Sequence, residues 1–367
     1  MAPFGAMSES GLKRLPHLDG LRGLASIIVV LHHYFLMPFY EDKTIMNTWW
    51  ARLLFQTWWV VDWFFVLSGW LIGTILLQNK NSQAFFKTFY IRRALRVLPM
   101  FLLLMSIFLI LSKTLEKSFP WLFDDPLIPL WSYPLTLHSI LGGHLGSMGD
   151  RFVVVCWSLV LEIHFYLVIP ILIRYLSFKN YSLFYVGLII IAIYLRYLIP
   201  GFNNIWERTL LILRPESIFG GVFLAHLTHN NFFSKKPWLM HILFLLFFPS
   251  IIFYAFDYPF SVFRMTFFGL TAVFFFGILI SNPIFLKNIL ACKLFTLAGK
   301  ISYSVYLLHI PIIGFLFQFF IQKNPQLTNS TEWQLTVLAT LLSFLGGYFL
   351  FKFIEEPFLK LGQRYKY

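Results

Sequence analysis

Apolar residues run along this chain in stretches of roughly 18 to 22, parted by short segments that hold most of the Lys, Arg, Asp and Pro. That is the length a helix needs to cross about 30 Å of hydrocarbon, and no period-2 alternation marks the strands of a barrel. The pattern predicts about ten spans, near 21–39, 58–77, 95–112, 153–173, 182–199, 209–227, 238–256, 261–281, 301–321 and 334–354. The expected fold is all-α: one polytopic membrane domain over residues 1–367.

Composition agrees with the pattern. The chain is 58% hydrophobic and only 12% charged, with a mean hydropathy of +0.72, whereas soluble domains carry about 25% charged residues. Its net charge of +13 is distributed by side. Segments that include Lys13, Arg14, Lys80, Arg92, Arg93, Lys235, Lys236 and Lys360 hold about twice the Lys and Arg of the opposite set, which holds Glu41, Asp42, Asp124, Asp125 and Asp150. Both termini are therefore expected in the cytoplasm, as a tail at 1–17 and a short basic tail at 358–367. The charge is then a topology signal and a match to anionic lipid headgroups, which makes nucleic acid a poor partner. No removable signal peptide is expected, because Asp19 and Arg22 stand at the mouth of the first span and no small-residue cleavage site follows it.

The longest interruption, 113–152, is rich in Pro, Trp and Leu and contains Gly142-Gly143-His144-Leu145-Gly146. It reads as a re-entrant or interfacial cap on the extracytoplasmic side. Cys156 and Cys292 fall on opposite sides, so no disulfide is expected between them. Neither a metal-ligand cluster nor a phosphate-binding glycine loop is present.

Ionisable groups inside the spans are the candidate chemistry. Arg22 and His33 are eleven residues apart, about three helical turns, so both leave one helix face roughly 16 Å apart along the axis. His32 lies off that face. Glu162 enters from the other end to a depth close to that of His33. Asp62, Ser68, Arg214, Glu216 and His309 are also intramembrane, and the group is expected to converge on one polar cavity. A histidine with a carboxylate partner is the usual form of a tuned general base.

The ordered blocks carry a resemblance. Leu18-Asp19-Gly20-Leu21-Arg22-Gly23-Leu24-Ala25 followed by His33 resembles the arginine-ten-residues-histidine signature of the acyltransferase-3 family of bacterial membrane O-acyltransferases. Asp62 through Ile72, Arg92-Arg93-Ala94-Leu95-Arg96-Val97-Leu98-Pro99, Trp157-Ser158-Leu159 with Glu162, and Arg214-Pro215-Glu216 follow in the family's order. So do Ile301 through His309 and Ile354-Glu355-Glu356-Pro357-Phe358. The family often has two adjacent acids in its fourth-helix block, whereas here Ile163 takes the second place and leaves Glu162 alone. Larger members append a hydrolase-like domain, and this chain is expected to act without one.

The resemblance implies transfer of an acyl group, most simply acetyl, from cytoplasmic acyl-CoA to a hydroxyl of an extracytoplasmic glycan in the bacterial inner membrane. The resemblance leaves the acceptor open among lipopolysaccharide O-antigen, capsule, exopolysaccharide, peptidoglycan and macrolide-type small molecules. His33 is then the base, Glu162 its orienting partner, and Arg22, Arg92, Arg93 and Arg96 the phosphate clamp. Asp19, Ser68, Arg214, Glu216, Tyr303 and Ser304 become candidates for substrate contacts. No permanently bound cofactor or metal is implied. For Glu355 and Glu356 a helix-end salt bridge is the favoured reading. The same buried groups would also suit a polytopic carrier of a lipid-linked sugar or an anion.

Overall fold

A computed structural model describes residues 15–39, 42–125, 127–198, 204–236, 238–255, 261–281 and 284–367. Most of the expected N-terminal tail, including Lys13 and Arg14, lies outside the described residues, as does Glu41. Within them the protein is helical, with no strand, and eight helices are long and apolar enough to cross a membrane. These are Pro16–Phe39, Trp49–Gln78, Phe85–Leu115, Cys156–Tyr175, Phe178–Leu198, Arg264–Ser281, Lys293–Ile321 and Ser330–Gly362. Helices solve the backbone problem in lipid because every N–H and C=O is satisfied within its own segment.

Two of the expected spans are broken. The stretch expected at 209–227 holds a short turn, Leu211–Leu213, and then a 14-residue helix, Glu216–His229, which at 1.5 Å per residue is about 21 Å and too short to cross. Pro215 explains the break: it lacks an N–H and drives the preceding residue off helical geometry, and Arg214 sits at φ −142° and ψ 56°. The stretch at 238–256 is likewise divided, into Trp238–Phe247 and Pro249–Ala255, at a proline. The third helix departs the other way. It starts at Phe85, ten residues before the expected boundary, so Arg92 and Arg93 lie on the same helix as Arg96 and not in a loop.

Glycines set two close helix crossings. A Cβ on Gly23 would lie 1.9 Å from the Phe295 carbonyl oxygen, and one on Gly299 1.8 Å from that of Asp19, so the first helix meets Lys293–Ile321 backbone to backbone. Gly69 and Gly221 do the same for Val61–Gln78 against Glu216–His229, with Cβ positions 2.0 Å from the Ile218 oxygen and 2.2 Å from the Val66 oxygen. These two crossings hold in place four of the elements that surround the polar interior.

The 113–152 segment is an ordered pack on two helix ends. Leu122, Phe123, Tyr133 and Phe152 are buried, Phe108 meets Tyr133 at 4.9 Å between ring centroids, and Phe119 meets Phe315 at 4.9 Å. A polar knot closes it: the Asp125 N–H donates to Asp150 Oδ1 at 3.2 Å, the Asp150 N–H donates to the Tyr133 hydroxyl oxygen at 3.0 Å, and Arg151 pairs with Asp124. Burial raises the Asp150 carboxyl to about 6, opposed by the Asp125 N–H and reinforced by the charges of Asp125, Asp124 and Glu116.

Gly23→Ala and Gly299→Ala should each destabilise the protein by about 1–3 kcal/mol or more through forced backbone separation. Gly187→Ala, which meets nothing within 4 Å, should be neutral. Thermal midpoints in detergent decide it, and equal midpoints for all three would contradict the crossings. For Asp150 the folded form favours the proton, so its contribution is fully present below the unfolded value near 4 and lost as pH rises through about 6. Asp150→Asn should therefore stabilise at pH 7 by on the order of 2 kcal/mol, a gain that shrinks to nothing below about pH 4. A pH series of melting curves measures it.

Candidate active site

A cavity of about 220 Å³ lies among Val61–Gln78, the third helix, Cys156–Tyr175 and Lys293–Ile321, with Arg22 entering from the first helix. Its polar lining is Arg22, Arg93, Arg96, Ser68, Ser158, Glu162, Ser302, Tyr303 and Tyr306, set in walls that include Phe64, Leu71, Ile72 and Ile75. Ser68 donates to Glu162. The Tyr306 hydroxyl bonds Ser158 Oγ at 2.7 Å and the Val155 carbonyl at 2.8 Å, and the Tyr303 hydroxyl donates to the Val97 carbonyl at 2.9 Å. Arg93 lies 5.9 Å from the ring centroids of both Phe89 and Tyr166, and its Nε is buried without a hydrogen-bond partner.

Arg92 is separate from this group. Its Nε donates to the Gly362 carbonyl at 3.3 Å and its guanidinium lies 5.6 Å from the Tyr367 ring centroid, which ties the third helix to the C-terminal residues. The four-arginine clamp is thus three arginines in the cavity and one anchor outside it. Ser304 also turns away, donating to Glu355 at 2.8 Å. Glu355 is buried and within electrostatic range of Arg22 and Arg96, so the helix-end salt bridge favoured for both glutamates describes only Glu356, which pairs with Lys352 at 2.9 Å and Lys360 at 3.0 Å. Asp19 stays near Arg22, within its electrostatic range.

The histidines are divided by a π turn, His32–Leu36, that continues the first helix. His32 is buried and bonds Thr57 Oγ1 at 2.9 Å through Nδ1. His33 is half-buried, and its Nδ1 lies 2.9 Å from the Val29 carbonyl and 3.3 Å from His309 Nε2. The expected pairing of His33 with Glu162 is therefore not made: Glu162 is held by Ser68, and His33 meets a second histidine. Neither histidine lines the cavity; the His309 ring is 5.7 Å from that of Tyr306, which does. The sequence marked His309 as intramembrane but gave it no partner.

Asp62, Arg214 and Glu216 do not converge on the cavity. Arg214 pairs with Asp62 at 2.6 Å, Ser217 donates to the same carboxylate, and the guanidinium lies 5.4–5.6 Å from the ring centroids of Trp58, Phe65 and Trp157. Glu216 pairs with Arg196 and accepts from Thr266 Oγ1 at 2.6 Å. All four charged residues of these two pairs are at most 4% exposed. Arg196 was not anticipated as a partner, although a lone arginine deep in an apolar helix requires a counter-charge somewhere.

Among the described residues no group of three or more His, Cys, Asp and Glu could hold a metal ion. Cys156 and Cys292 are both free thiols.

Apolar spans that bury ion pairs and enclose a cavity lined by three arginines, a glutamate and several hydroxyls define a multi-pass membrane protein with a polar interior. The chain belongs to the acyltransferase-3 family, whose profile, described as an acyltransferase domain, matches residues 15–352. It is similar to the peptidoglycan O-acetyltransferase OatA of Listeria monocytogenes, 29% identical over 379 residues that cover 95% of this chain and 56% of the relative. It is also similar to the O-acetyltransferase OatA of Staphylococcus aureus, 26% identical over 372 residues covering 95% of this chain and 58% of the relative. The chain thus spans little more than half the length of these relatives. No solved structure matches it.

Glu216→Gln should leave Arg196 buried without its counter-charge and cost about 3–5 kcal/mol, the size seen when one partner of a buried pair is removed. The readout is the thermal midpoint in detergent, compared with Glu356→Gln at the exposed pairs, which should change little. A Glu216→Gln protein as stable as the parent would rule out the pairing.

Proposed function

We propose that this protein is a membrane O-acetyltransferase that passes acetyl from acyl-CoA, bound from the cytoplasm at Arg22, Arg93 and Arg96, to a hydroxyl of an extracytoplasmic glycan, with His33 as general base. The observation that carries the reading is the cavity itself: three guanidinium groups gathered at one apolar-walled cleft, whose Tyr306 ring is 5.7 Å from that of His309, the neighbour of His33. Coenzyme A offers a matching shape, with phosphates for charge-assisted bonds and a pantetheine arm for the apolar walls.

In the reaction, His33 Nε2 takes the proton of the acceptor hydroxyl as its oxygen attacks the thioester carbonyl carbon. The carbon–sulfur bond then breaks, and the departing sulfur recovers that proton from the imidazolium. An alcohol and a thioester become an ester and a thiol, with nothing left over. The acceptor is an envelope glycan; lipopolysaccharide O-antigen, capsule and exopolysaccharide fit this chemistry, and peptidoglycan is the acceptor named for the Listeria relative. The site of action is then the inner membrane, with both termini in the cytoplasm.

With purified protein and labelled acetyl-CoA, Arg93→Ala and Arg96→Ala should raise the donor KM about ten- to hundredfold, the range of a lost hydrogen bond to a charged group. Arg92→Ala should leave it unchanged. His33→Ala should lose a hundredfold or more of kcat while remaining monodisperse, as expected for a missing base, and His32→Ala should stay active. Sealed right-side-out vesicles loaded with donor should label an external acceptor, and mass spectrometry of envelope glycans with and without the protein identifies which one. Absence of any coenzyme A release would leave a carrier as the function.

A further inference from the structure

His309 is fully buried, and no part of the base reading above requires it. Its Nδ1 lies 2.7 Å from the Tyr306 carbonyl oxygen. A carbonyl only accepts, so the proton of a neutral His309 is on Nδ1 and its Nε2 carries a lone pair. That lone pair is 3.3 Å from His33 Nδ1, which in turn is 2.9 Å from the Val29 carbonyl. His33 Nδ1 therefore faces two acceptors and no donor. It must hold the hydrogen, which leaves the lone pair of His33 on Nε2.

We propose that His309 is the positioning residue of His33: a neutral imidazole that, together with the Val29 carbonyl, fixes its tautomer, and that sets its ring orientation and supports the imidazolium formed when Nε2 takes a proton. This rests on His33 being the base. A histidine here takes the place that a carboxylate holds in the usual base-and-orienter arrangement. Among the described residues neither ring has a carboxylate as a hydrogen-bond partner. The side chains around the pair are His32 at 5.5 Å between ring centroids, Tyr34 at 6.2 Å from His309 and Tyr306 at 5.7 Å. The backbone is held as well. Tyr34 donates its hydroxyl hydrogen to the His309 carbonyl and bonds Ser343 Oγ at 2.8 Å, so three helices meet at this turn. A neutral partner suits an apolar site, since a buried carboxylate would need a counter-charge of its own.

Two substitutions separate this role from simple packing. His309→Gln keeps an amide oxygen that can accept from His33 Nδ1, whereas His309→Leu keeps bulk and offers no acceptor. In detergent-purified full-length protein with acetyl-CoA, His309→Leu should lose about ten- to hundredfold in kcat, the scale of a hydrogen bond to a charged group, with donor KM within twofold. The acid limb of its kcat profile should move to lower pH, because the protonated base has lost its support. His309→Gln should return to within about threefold of the parent, with the limb restored. A monodisperse His309→Leu enzyme with parental kcat and pH profile overturns the proposal, as does equal loss in two well-folded variants. If His309→Leu does not fold, His309→Gln alone decides: near-parental turnover supports the proposal and a hundredfold loss overturns it. His33→Ala separates the two readings, since its retention of activity would remove the base itself, whereas its inactivity beside a parental His309→Leu removes only the positioning role.

Discussion

A charge in hydrocarbon must meet an opposite charge, and among the described residues two buried ion pairs where that happens organise much of the interior. Asp62 with Arg214 and Arg196 with Glu216 fasten the start of the helix Glu216–His229 to the second helix and to Phe178–Leu198. Arg196 also donates to the Leu213 carbonyl at 2.9 Å, in the turn before that helix, and to the Val262 carbonyl at 3.0 Å, in the turn before Arg264–Ser281. The short helix starts with Glu216 in its first turn, where a carboxylate suits the positive end of the helix. The second helix, seated on it through Gly69 and Gly221, then presents Ser68 and its apolar face to the cavity.

This arrangement gives neighbouring polar residues different tasks. Arg214 and Glu216 adjoin a family block and are intramembrane, yet their charges are spent on one another's neighbours. Arg93 and Arg96 are the arginines with charge available in the cavity, together with Arg22, while Arg92 is one residue away and on the outside of the same helix. A helix rotates about 100° per residue, which is enough to separate an anchor from a ligand-facing group.

Much of the fold was legible from hydropathy: the helical class, the membrane setting, and eight of the ten expected spans. The two that failed are interrupted at Pro215 and Pro249, where mean apolarity stays high, whereas Pro99, Pro170 and Pro311 lie inside helices that continue. The site was legible as a set of residues and not as a set of contacts. Arg22, Ser68, Glu162 and the third-helix arginines could be placed by face and depth on their own helices. Which helix each face meets depends on packing among distant segments, and there the expected pairing of Glu162 with His33 gave way to Ser68 with Glu162 and His33 with His309. The Glu355 contact was missed for the same reason, since its partner Ser304 is 51 residues away.

The π turn at His32–Leu36 carries a consequence for how the chain tolerates change in length. A π turn is an α turn holding one extra residue, and here that extra residue hands two adjacent histidines to different neighbours, His32 to Thr57 and His33 to His309. Deleting a single residue between Arg22 and Leu36 would let the turn relax to ordinary helical geometry with the chain beyond it kept in register, while the side chains between the deletion and the turn would be rotated by about 100°. An inserted residue would meet a helix that has already absorbed one. The spacing of this segment is thus fixed far more tightly by its contacts than its plain apolar sequence suggests, and length variation among homologous chains should be found in the loops on either side of it.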